Sequence, residues 1–123
     1  MMGAVRIGPE MPSQDRLDLI EQAILQWSYT TEHPIARVMV FCSSPLWVPR
    51  TVWVFSKIND ELERWVAVGH IDVISAQILA IVNEAGFRLS PAELSCKFDS
   101  EENIDVNHGG NYFRRIRPRT GRP

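Results

Sequence analysis

Between Ile71 and Gly86 the chain reads IDVISAQILAIVNEAG, with apolar residues at Ile74, Ile78, Ile81, Val82 and Ala85. That three-and-four spacing predicts one helix of about four turns, roughly 24 Å long. Leu79, Ala76 and Ala80 widen the stripe and leave Asp72, Ser75, Gln77, Asn83 and Glu84 for water. So apolar a helix must lie against a sheet or another helix, at the centre of the core. Asp72 is placed to cap its first N–H groups, and Gly86 to end it at positive φ with Phe87 folding back.

The same periodicity predicts an earlier helix from Ser13 to about Trp27. Ser13 stands at the N-cap and Leu17, Ile20, Ile24 and Trp27 form the buried stripe; Asp18, Glu21, Gln22 and Gln26 face outward. Two β-branched and aromatic runs follow, Ile35–Cys42 and Thr51–Ile58, and both read as strands. The second puts Trp53 and Phe55 on one face and Val52 and Val54 on the other. Their connection, SSPLWVPR, is too proline-rich for a tight hairpin and carries an apolar tip at Leu46, Trp47 and Val48. Trp47 there either folds back over a core edge or stands as an exposed anchor for a partner.

The segment 59–70 fits two templates. Leu62, Trp65 and Val66 sit at helical spacing, but Asn-Asp is a turn signal and RWVAVGH is poor in strong helix formers. A third strand, Arg64 to His70, is the preferred reading. Later, Ser90-Pro91-Ala92-Glu93 matches a capping box opening a short helical turn. Leu94, Cys96 and Phe98 alternate with Ser95, Lys97 and Asp99 as in a half-buried strand. A polar loop, DSEENIDVNHGGN, then leads into a last strand, Asn111 to Arg117. The expected order is α-βββ-α-ββ, an α+β domain with an antiparallel sheet and two helices packed on one face. It occupies 13–117, between a loose lead-in at 1–12 and a basic solvated tail at 118–123.

With 45% apolar and 23% charged residues, the 123-residue chain has the composition of a soluble globular domain. No apolar run approaches the roughly 20 residues that cross a bilayer, and the start lacks the h-region of a secretory signal, so a cytoplasmic setting is expected. Cys42 and Cys96 make neither a disulfide framework nor a metal spacing, and read as buried free thiols. The net charge of −2 hides a segregation. Up to Phe113 there are fifteen acidic and eight basic residues, a formal −7, after which come five arginines, Arg114, Arg115, Arg117, Arg119 and Arg122. The body should attract basic partners and the tail nucleic acid.

Patterns of known chemistry fail here one by one. Gly109-Gly110 does not open a phosphate loop. Asp99, Glu101, Asn103 and Asp105 imitate half of a calcium loop, but Ile104 takes the place of its turn glycine and Gly110 that of its last glutamate. A looser cation site from Asp99, Glu101, Glu102, Asp105 and His108 competes with a solvated acidic loop. His70 beside Asp72 could form an oriented base only with a nucleophile in reach. No cofactor and no metal is expected.

Three readings remain. The first is a non-catalytic module that masks a basic protein, of the type of immunity proteins or enzyme inhibitors in charge and size alone. Leu46 and Trp47 would serve as anchors and Asp99, Glu101, Glu102 and Asp105 as steering charges. The second is a nucleic-acid binder using Tyr112, Phe113, Arg114, Arg115 and Arg117, where cations and aromatics interleave. Pairing of those arginines with the Asp99–Asp105 stretch is its ordinary competitor. The third is a small enzyme centred on His70 or Cys96.

Overall fold

The computed structural model describes residues 13–43 and 48–116. Helix α1 (Ser13–Ser28) leads into strands β1 (Arg37–Ser43) and β2 (Val48–Ser56). Helices α2 (Asn59–Ala67) and α3 (His70–Glu84) follow, then a 3₁₀ turn (Pro91–Glu93), strand β3 (Ser95–Ser100), and helices α4 (Glu101–His108) and α5 (Tyr112–Ile116). The domain is α+β, but its three-stranded sheet is mixed. In the order β1-β2-β3, β2 pairs antiparallel with β1 and parallel with β3.

Three expectations change. The segment 64–70 is not a strand. Leu62 and Trp65 turn toward the core at helical spacing, with Trp65 1% exposed, and burial of the indole outweighs the weak propensity of Val-Ala-Val. With α2 and α3 as the crossover, β3 returns parallel to β2, so the sheet is not purely antiparallel. Finally, the polar loop and last strand are α4 and α5, which put helices on both faces of the sheet rather than on one.

The larger core lies between the sheet and α1, α2 and α3. Ile20 and Ile24 of α1, Ile74, Ile78 and Val82 of α3, and Val52 and Val54 of β2 are all fully buried in it. Ser28 fastens the end of α1 to the start of the sheet: its hydroxyl donates to Leu25 O at 2.7 Å and accepts the Ile35 N–H at 3.0 Å. Asn83 does the same at the other end of α3, donating to Leu89 O at 3.0 Å and accepting Leu89 N–H at 2.8 Å. Asp72 does not cap α3. The helix starts two residues earlier, after Gly69 at φ +75°, and Asp72 lies exposed in its first turn. The Ser90–Glu93 box forms as expected, with Ser90 N–H donating to Glu93 at 2.8 Å.

The second face of the sheet is smaller. Trp53 and Phe55 of β2 pack there with Ile104 of α4, bordered by Met39, Phe41, Tyr112 and Ile116. The two free edges of the sheet also differ. On β1, the Val40 N–H donates to Glu21 Oε2 at 2.8 Å. Glu21 therefore does not face water; it is half-buried, and burial raises its pKa more than the Val40 hydrogen bond lowers it. On β3, no side chain among the described residues bonds the backbone of 95–98 from the open side. Among the described residues no single helix is long and apolar enough to cross a membrane; α2 and α3 reach that length only together, across a 91° bend.

Candidate functional site

Four of the charged and aromatic residues singled out in the sequence, Asp99, Glu101, Tyr112 and Arg115, converge on the smaller face. Asp99 is the last β3 residue but one, and the pleat turns it onto the side of Trp53. Only 7% exposed, it is held from three directions. Arg115 Nε donates at 2.6 Å, Asn103 Nδ2 reaches both oxygens at 3.0 and 2.9 Å, and the Ser100 N–H donates at 2.8 Å. The Arg115 guanidinium also lies 4.8 Å from the centre of the Trp53 ring. A buried carboxylate is tolerated when it is paired and its lone pairs are filled.

A second pair sits beside the first. Glu101 accepts the Tyr112 hydroxyl at 2.6 Å and lies 3.5 Å from Arg37 Nε. Arg37 in turn stands 4.7 Å above the Tyr112 ring, whose edge meets Phe55 at 4.9 Å. The Tyr112 phenol is raised above its ordinary value, first by burial and then by the hydrogen bond to Glu101, since ionisation would set two anions together. Two acids of the acidic stretch and one arginine of the basic segment are therefore joined in one network. Asp99, Glu101, Tyr112 and Arg115 spend their polar groups on fastening α4 and α5 to the sheet.

The remaining acids point away. Ser100 caps α4, accepting Asn103 N–H at 3.0 Å, and its hydroxyl donates to Asn59 Oδ1. Glu102 accepts the Asn59 N–H at 2.9 Å, while its own N–H donates to Lys57 O at 3.1 Å, so the starts of α2 and α4 are tied together. Beyond that tie, Glu102, Asp105 and Val106 share one helical face of α4, and all three are exposed, Val106 by 73%. On α2 the exposed face carries Asp60, Glu63 and Arg64. Phe113 and Arg114 are also exposed. Leu46, Trp47 and Arg117, together with the expected lead-in at 1–12 and tail at 118–123, lie outside the described residues.

The half calcium loop is folded into β3 and α4 instead. Among the described residues no group of three or more His, Cys, Asp and Glu side chains is arranged to hold a metal ion. His70 and Cys96 belong to separate surroundings. His70 lies 4.6 Å from the His33 ring and 6.4 and 6.3 Å from Trp27 and Trp65. Burial, and then His33, lower its pKa. Its Nε2 is buried without a partner among the described residues. Cys96 lines a cleft of about 340 Å³ between α3 and β3, with Ser75, Ala76, Leu79, Pro91 and Leu94. Burial raises the thiol, with a smaller opposing effect from the Ser75 hydrogen bond, and a thiol so held is a poor nucleophile.

Arg37, Trp53 and Asn103 complete the network, although the sequence assigns them elsewhere: Arg37 is the one charge in an otherwise apolar run, Trp53 lies on one face of its strand, and Asn103 belongs to the half calcium loop. No family model matches the chain, and no curated protein or solved structure shows significant similarity to it.

Proposed function

We propose that the protein is a small non-catalytic binding module that masks a basic partner protein through the outward face of α2 and α4. The observation that carries this reading is the division of the acidic residues. Asp99 and Glu101 are neutralised internally, whereas Glu102, Asp105, Asp60 and Glu63 face solvent and, among the described residues, form no ion pair. Exposed carboxylates around an exposed apolar side chain, Val106, suit steering followed by docking. The internal network holds α4 in place beneath them, so the charges are presented on a fixed helix.

The test is affinity capture from the native host's lysate, with and without nuclease, comparing the full chain with a Glu102→Lys/Asp105→Lys variant. The expected result is a basic protein retained regardless of nuclease. Its association with the variant should be about tenfold slower and less salt-dependent, as for long-range charge steering. Unchanged association with the variant would overturn the assignment of this face. Nuclease-sensitive retention would transfer the role to nucleic acid and to Phe113 and Arg114.

A further inference from the structure

The open edge of β3 and the cleft beside it are adjacent, and neither belongs to the acidic face. We infer that they form a second interaction surface, which takes up an extended peptide segment by adding it as a strand to β3. An unpaired strand edge offers a row of backbone donors and acceptors, and a neighbouring pocket gives such an addition its side-chain selectivity. Here the reachable part of the edge is its first half. Ser95 and Lys97 are exposed and Cys96 and Phe98 half-buried, whereas Asp99 and Ser100 are buried. The cleft opens at that same half, between Cys96 of β3 and Ser75, Ala76 and Leu79 of α3.

The alternation of a strand then fixes the chemistry of the guest. A guest residue opposite Cys96 points to the α3 side, where Ala76, Leu79 and Leu94 make an apolar wall. The volume of about 340 Å³ leaves ample room for an aliphatic side chain of leucine size. The next guest residue lies opposite Lys97, which is exposed on the other face. A carboxylate there meets an ammonium, and a lysine or arginine meets a like charge. The guest is therefore an extended segment in which an aliphatic residue is followed or preceded by an acidic one. The β1 edge differs among the described residues, because there Glu21 already occupies the Val40 N–H that a guest strand would need.

The experiment uses the full chain and end-capped synthetic peptides with a Ser-Val-Glu-Leu-Thr core, and a companion in which lysine replaces the glutamate. Amide resonances of Ser95–Phe98 should shift, and their hydrogen exchange should slow, with the glutamate peptide and several-fold less with the lysine peptide. Lys97→Glu should reverse that preference, an effect that a loss of folding cannot imitate. Ala76→Phe, at an exposed position that fills the cleft, should abolish the binding of both. Absence of binding at millimolar peptide, or shifts confined to other elements, would overturn the proposal. So would a concentration-dependent dimer that excludes the peptide, which would assign the edge to a second copy. The acidic face on α2 and α4 stands or falls separately, since Glu102→Lys/Asp105→Lys should leave peptide binding intact.

Discussion

The two faces of the sheet are held by different physics. The face under α1, α2 and α3 is mainly aliphatic and continuous, with the Trp65 indole buried in it, and its helices stay in place because leaving would return a large apolar area to water. The face under α4 and α5 buries only Trp53, Phe55 and Ile104 completely enough to count as core, and two short helices cannot be fixed by so little area. Charge-assisted contacts supply the difference: Arg115 on Asp99 and Trp53, Arg37 on Glu101 and Tyr112. A carboxylate that would be a liability in the first core is a fastening in the second.

That contrast can be broken from either side. Ile78→Ala, in the middle of the aliphatic face, should cost about 4 kcal/mol and lower the global denaturation midpoint. Ile104→Ala on the smaller face should cost about 2.5 kcal/mol. In hydrogen exchange its loss should fall on α4 and α5 first, leaving α3 protected. Equal loss of protection in α3 would show that the two faces unfold as one.

Arg115→Met keeps an apolar stem over Trp53 but strands the Asp99 carboxylate, and should cost about 2 kcal/mol. Adding Asp99→Asn should return most of that loss, because the pair is coupled; additive losses in a double-mutant cycle would remove the ion pair from the account.

Smaller effects follow the titratable groups on the larger face. His70 is lowered from the ordinary value of 6.5, so the unfolded chain takes up a proton that the folded chain resists. Its contribution is complete above that value and is lost as pH falls from 6.5 toward the folded pKa, and His70→Gln should flatten that slope in pH-dependent denaturation. Glu21 is raised from 4.5, so it favours the folded state at acid pH, an advantage lost as pH rises through its folded pKa. Glu21→Gln retains an acceptor for the Val40 N–H and should make the protein slightly more stable at pH 7, with no gain below pH 4.5.

The difference between the faces also explains what could be read from the chain. Strong periodicity located α1, β1, β2, α3 and β3 within a few residues, because each of these elements buries a stripe in the aliphatic core. Helix α4 buries Ile104 alone, and its pattern is that of a polar loop. What makes it helical is the Ser100 cap, Gly109 at φ +62° and the tie from Glu102 to Asn59, contacts with partners 41 to 43 residues away or outside the periodic pattern. A strand at 64–70 would also remove the crossover helices, and with them the reason for β3 to run parallel. In the candidate site, the opposite charges at 99–105 and 114–115 were visible, and so was their possible pairing. That Arg37 and Trp53 stand between them was not, since only the sheet register brings these residues together.

The Glu21 carboxylate on Val40 has a consequence at the scale of many molecules. A sheet open at both ends can be extended indefinitely, and copies of it can grow into fibres. With the Val40 N–H taken by a carboxylate, an incoming strand loses one of the donors it would pair with on the β1 margin and meets a charge beside it, which disfavours growth of the sheet from that side.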